Sequence, residues 1–174
     1  VILVGISKSG FGGGAGVIAT PLMSLTIPVP EAAALLLPLL IIADMLSLRH
    51  YYNDWDRPTI SATLPGAVIG IILGGIFFGA FTSQEDLLKK SIGLFSIAFV
   101  MYQLARNTVF KIPTDKNAMP RWAGWPLGML AGFSSTLAHA GGPPFVIYLL
   151  PQGLRQSTFV GTTVIFFTSV NLIK

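Results

Sequence analysis

Apolar residues fill this chain in long blocks, and the interruptions of those blocks carry most of its information. Residues 32–48 form one block whose only charge is Asp44. Residues 58–81 and 87–105 form two more, and residues 157–174 another, with Asn171 near its end. Each approaches the roughly 20 apolar residues needed to cross about 30 Å of hydrocarbon, so each is predicted to be a transmembrane helix. Pro58 suits the first turn of its helix. Within that helix Ala62, Gly66, Gly70 and Gly74 recur every fourth position, a face on which another helix can approach closely. Gly124, Gly128 and Gly132 make a second such stripe.

Two apolar segments do not read as plain helices. Residues 1–26 contain GISKSGFGGGAGVIATP, with Lys8, Ser7, Ser9 and the run Gly12, Gly13, Gly14. Glycine costs roughly 1 kcal/mol relative to alanine within a helix, and here the penalty stacks three times. The pattern predicts a short helix, an unwound turn and a second short helix over about 15–25. Residues 122–150 repeat the theme. Ser134, Ser135, Thr136 and His139 interrupt an apolar helix, and Gly141, Gly142, Pro143 and Pro144 stop and restart it. Irregular backbone inside a membrane is tolerated only where protein buries it or where it lines a wet cavity.

The two segments correspond at an offset of 127. Leu3, Gly5, Ser7, Gly14 and Leu22 meet Leu130, Gly132, Ser134, Gly141 and Leu149, and Asp44 falls on Asn171. The expected organisation is a first repeat over residues 1–121 and the start of a second over residues 122–174. In the first, a broken helix precedes three spans and a connection over 106–121. Two readings of the breaks stay open. Full crossings would make the repeats parallel; re-entrant hairpins would make them inverted.

Composition sharpens the class. Only 10% of the residues are charged and 52% are hydrophobic, against about 25% charged in soluble domains. The fold class expected is an all-α polytopic membrane protein. The net charge of +4 resides mostly in short connections, so it speaks to topology and not to nucleic acid. Arg49, Arg57, Arg106, Lys111, Lys116 and Arg121 fall in two connections on one side, which the positive-inside rule places in the cytoplasm. There is no cysteine, which excludes disulfides and thiolate chemistry. Both ends fall inside apolar runs and read as cut from a longer protein.

The chemistry sits at the breaks. A helix restarting inside the membrane presents unpaired N–H groups and the positive end of its dipole, a natural anion site. Lys8 costs about 2.5–3.5 kcal/mol if placed at the centre of a span, so it is expected to face a cavity or a partner. The substrate-binding candidates are Lys8, Ser9, Gly12, Gly13, Gly14, Ser134, Ser135, His139, Gly141 and Gly142. Asp44 and Asn171 are candidates for a structural pair or a proton relay. His50 lies in an aromatic connection and reads as interfacial. Gly10-x-Gly12-x-x-Ala15 lacks the strand that a dinucleotide site requires. No metal site, no catalytic constellation and no cofactor are expected, so the chain does not read as an enzyme.

The run Gly5-x-x-Lys8-x-Gly10-Phe11-Gly12-Gly13-Gly14-Ala15-Gly16, then Thr20-Pro21 and Ala43-Asp44, resembles the sulfite exporter TauE/SafE family of membrane permeases. His139-Ala140-Gly141-Gly142-Pro143-Pro144 is similar to that family's second signature. Ser9 departs from it, standing where many members have glycine. The resemblance implies a bacterial-type inner-membrane permease with two related halves, exporting or importing sulfite or organosulfonates. The expected partners are a small anionic substrate and the lipid bilayer, with self-association open. The rival readings are an anion channel of the same fold and a non-transporting assembly or sensor protein.

Overall fold

The computed structural model describes residues 16–81 and 118–174, with scattered positions between 84 and 101. The chain is helical throughout these parts. In order come α1 (Gly16–Met23), α2 (Val29–Tyr51), α3 (Arg57–Phe81), α4 (Arg121–Ala138), α5 (Gly142–Leu149), a 3-10 turn (Leu150–Gln152) and α6 (Gln156–Ile173). The described positions within 86–101 are helical as well. Among the described residues three helices, α2, α3 and α6, are long and apolar enough to cross a membrane. The helix expected over 32–48 extends a turn further at each end, because Pro28 leads into it and Pro30 sits in its first turn.

α3 and α4 form the tightest contact, and they do so through the two small-residue stripes. A methyl group on Gly66 or Gly70 would overlap the carbonyls of Trp125 or Met129. One on Gly128 or Gly132 would overlap those of Thr63 or Ala67, and one on Gly124 would lie 2.8 Å from the Ala62 Cβ. The partners advance together along both helices, so α3 and α4 run parallel. In a bilayer, apolar burial does not drive helices together, and close backbone approach gains dispersion contacts instead.

α5 reverses the direction of α4. Gly141 packs so near Ala131 that an added Cβ would lie 2.6 Å from the Ala131 carbonyl oxygen. In an unbroken helix those residues would be about 15 Å apart. Tyr148 then packs with Ala123 and Ala62, and the Gln152 side chain donates to the Met119 carbonyl at 3.2 Å. The segment therefore ends beside where it began. Phe145 anchors α5 on α6, stacked on Phe166 at 3.9 Å and edge-on to Phe167.

α2 and α6 run antiparallel. The Thr158 hydroxyl donates to Asp54 at 2.6 Å, the Asp56 amide donates to the Thr162 hydroxyl, and further along Asn171 meets Asp44. Gly161 allows this approach, since a methyl there would overlap the Asp54 carbonyl. Asp56 also caps α3, accepting the Thr59 amide at 2.8 Å. The hydroxyls of Ser157 and Thr158, helped by the Arg155 guanidinium, hold the Asp54 carboxyl below its usual value of 3.8. Asp54 is thus ionised at neutral pH, and this junction keeps its charge across the physiological range. One end of the molecule gathers the 51–57 connection, the start of α4, the end of α5 and the start of α6. Arg57, Arg121 and Arg155 lie at that end.

Val29 and Gln156 open α2 and α6, 127 positions apart. The Asp44–Asn171 partners are also separated by 127.

Candidate functional site

The site is built around the point where α4 stops. Ala138 is its last helical residue, and His139 then adopts a left-handed conformation, φ 53 and ψ 29. That conformation lets the His139 and Ala140 amides turn back and donate to the carbonyls of Ser135 and Ser134, at 3.0 and 3.2 Å. Glycine is the usual residue at such a position, since a Cβ costs roughly 1–2 kcal/mol there. His139→Gly is therefore expected to preserve or raise thermal stability, while His139→Val lowers it by about 1–2 kcal/mol. Unfolding curves of the two variants check this; equal stability would mean that the turn is not strained by side chains. Gly141 is pressed between Ala131, Ser135 and Phe167, and Gly142 opens α5 with Pro143 and Pro144 in its first turn.

Carbonyls of Ser134, Ser135 and Ala138 at the end of α4 find donors. Ser134 is fully buried, and its hydroxyl lies within hydrogen-bond distance of the Leu130, Ala131 and Ala140 carbonyls. Ser134 thus ties the reversal to the helix before it. The Ser135 carbonyl also receives the Lys174 ammonium at 3.1 Å, and the Ser135 hydroxyl receives it at 3.0 Å. The Ala138 carbonyl accepts the Thr20 hydroxyl at 2.9 Å, in a buried bond. Thr20 belongs to α1, so α1 docks directly on the break that follows α4.

Asn171 donates from Nδ2 to Asp44 Oδ2 at 2.6 Å, and both side chains are buried. Asn171 and Lys174 are one helical turn apart on α6 and share a face. The polar groups therefore run in sequence from Asp44 through Asn171 to Lys174, Ser135 and the His139 turn.

Of the expected site residues, the structure brings Ser134, Ser135, His139, Gly141 and Gly142 together at this break. Lys8, Ser9, Gly12, Gly13 and Gly14 lie outside the described residues. Thr20 and Lys174 are additions that sequence reading did not assign. Thr20 stands within the signature run, and Lys174 is a cation in an apolar span; each was a visible signal without a visible partner. Among the described residues no group of three or more His, Asp or Glu is placed to hold a metal.

The family model for the sulfite exporter TauE/SafE family matches residues 1–174. The chain belongs to that family. It is accordingly an integral membrane protein of a permease family, and TauE/SafE proteins are transporters rather than enzymes. Comparison with curated proteins and with solved structures gave no match. The hydrogen bond from Thr20 to Ala138 puts α1 in contact with the end of α4.

Proposed function

We propose that this TauE/SafE chain moves a small oxyanion, sulfite or an organosulfonate, across the cytoplasmic membrane by alternating access between two inverted halves. The supporting observation is the reversal of the chain at residues 139–141, buttressed by α1 from the other half. A segment that starts and ends at the same end of the molecule is a re-entrant hairpin. Its two ends, with Arg155 at one, then share the arginine-rich cytoplasmic side. Each half would contribute three crossings besides fragments that do not cross; α5, at 8 residues, is about 12 Å long and cannot span.

Antiparallel α2 and α6 favour inversion, since equivalent helices of parallel repeats would point the same way. The contact between Asp44 and Asn171 adds to this. Equivalent positions touch each other only near the axis that relates the halves, so this pair marks that axis. Broken helices at such an axis are where transporters of inverted design hold their substrates. Lys8, the site hydroxyls and the amides of the glycine turns would replace the water that a sulfite or sulfonate group loses on entry.

The test is flux of radiolabelled sulfite, sulfoacetate and sulfate into proteoliposomes, with and without a pH gradient. Saturable flux with counterflow is expected. Lys8→Met is expected to lower it about tenfold or more, because a hydrogen bond to a charged partner is worth about 1.5–3 kcal/mol. Unchanged flux in that variant would remove Lys8 from the site. Linear, non-saturating flux would replace the carrier by a channel.

A further inference from the structure

The close approach of α3 and α4 fixes more than the packing of those two helices. Gly124 lies so near Ala62 that it sets the first turn of α4 beside the first turn of α3. Arg121 and Ser61 meet there, and the guanidinium donates to the Ser61 hydroxyl at 3.0 Å. Ser61 is held in turn by donating to the Pro58 carbonyl at 2.9 Å. Arg57 lies four residues before Ser61, on the same face of α3. Its guanidinium carbon stands 5.6 Å from the centre of the Trp55 ring, and Trp55 is packed on the core. Both arginines are exposed, and each is steadied by a neutral group, so neither contact cancels charge. The acids nearby are turned elsewhere. Asp56 accepts the Thr59 amide, and Asp54 accepts the Thr158 hydroxyl.

This basic pair stands at the head of a lipid-facing surface. Ser61, Pro65, Ile72 and Ile76 are all exposed, and at roughly 100° per residue they fall within about 60° of one another around the α3 axis. Trp122 and Trp125, in the first turns of α4, are exposed as well. Tryptophans so placed mark the level of the lipid headgroups.

We propose that the paired starts of α3 and α4 bind an anionic phospholipid of the adjoining leaflet, with its phosphodiester on Arg57 and Arg121 and an acyl chain along the exposed face of α3. This needs only the membrane placement of the chain and does not rest on the transport reading. Guanidinium groups match phosphate oxygens in a fork, and the single bond to Ser61 leaves most N–H donors of Arg121 unused. Basic pockets between membrane helices are suited to anionic headgroups, whereas the ammonium of a zwitterionic lipid would be repelled by the arginines. The apolar stripe below Ser61 distinguishes a lipid from a soluble anion, since it offers the acyl chain a continuous apolar surface.

The tryptophans of the sequence are Trp55, Trp122 and Trp125, all at this end of the molecule, so their fluorescence reads this place. The full-length protein is reconstituted in phosphatidylcholine vesicles that carry a varied fraction of brominated phosphatidylglycerol or brominated phosphatidylcholine. The brominated phosphatidylglycerol is expected to reach half-maximal quenching at about a fifth or less of the mole fraction that phosphatidylcholine needs. Arg57→Gln and Arg121→Gln are each expected to weaken that preference several-fold. Arg155→Gln removes an equal charge from the same end, where it acts on Asp54, and is expected to leave the preference unchanged. Inorganic phosphate at matched ionic strength is expected not to reverse the quenching. Equal quenching by the two lipids in the wild type overturns the proposal. An equal loss in Arg155→Gln also overturns it, because the preference would then be attraction to a basic surface at large. Recovery of fluorescence with inorganic phosphate would assign the arginines to a soluble anion and remove the lipid. Should an arginine variant fail to fold, the wild-type comparison of the two lipids, with and without phosphate, decides.

Discussion

Gly128→Ala is expected to disrupt the α3–α4 pair and to cost about 3 kcal/mol or more. The added methyl would overlap the Thr63 carbonyl, which is held in the α3 backbone and cannot rotate away. Overpacking typically costs about 1–3 kcal/mol, with larger values where only backbone can yield. Gly70→Ala and Gly132→Ala meet the Met129 and Ala67 carbonyls in the same way and are expected to act alike. The controls lie in the same helix as Gly70. Among the described residues nothing lies within 4 Å of a methyl added at Gly75 or Gly79, so alanine at either is expected to change stability by no more than about 0.5 kcal/mol. Thermal unfolding of the detergent-solubilised variants separates the two groups. If Gly128→Ala proved as stable as Gly79→Ala, the two stripes would not be the contact.

These stripes show how far the sequence reached. A four-residue spacing of small residues places them on one helix face, so each stripe was legible alone. That they meet each other was not, because spacing within a helix says nothing about which partner it finds. The same holds for the boundaries. Pro28, Pro58 and the Gly-Gly-Pro-Pro run punctuated the chain in the right places, since proline and glycine act locally. The reversal after Ala138 was one of two readings left open, because whether a break bends or continues depends on what packs beside it. Here Gly141 against Ala131 and Tyr148 against Ala123 turn the chain back.

The site follows the same division. His139, Gly141 and Gly142 could be named from the sequence because their types are unusual in an apolar segment. The buried, backbone-tying role of Ser134 could not, because a serine near a helix end fits substrate and carbonyl equally well. Lys174 was passed over for a similar reason. Its nearest polar contact, Ser135, is 39 positions away, and only the folded chain sets them side by side.

Exchanging Asp44 and Asn171 is expected to be far milder than changing either one. Asn171→Leu removes the amide that donates to Asp44 Oδ2 and is expected to cost about 1.5–3 kcal/mol, the worth of a hydrogen bond to a charged group. Asn171→Asp is expected to cost at least as much, since it replaces the donating amide by a second carboxyl at a buried contact of 2.6 Å, where the two groups stay together only by sharing a proton. The double variant Asp44→Asn, Asn171→Asp rebuilds an amide–carboxylate bond with its direction reversed. If these positions sit on the axis between inverted halves, the surroundings of each resemble those of the other, and the exchanged pair fits nearly as well. Stability is then expected to return to within about 1 kcal/mol of wild type, giving a coupling energy well outside the additivity of distant sites. Transport with an unshifted pH profile in the exchanged protein would make the pair structural, as its buried hydrogen bond suggests. A double variant no more stable than Asn171→Asp would show that the two environments differ, and the axis would have to be drawn elsewhere.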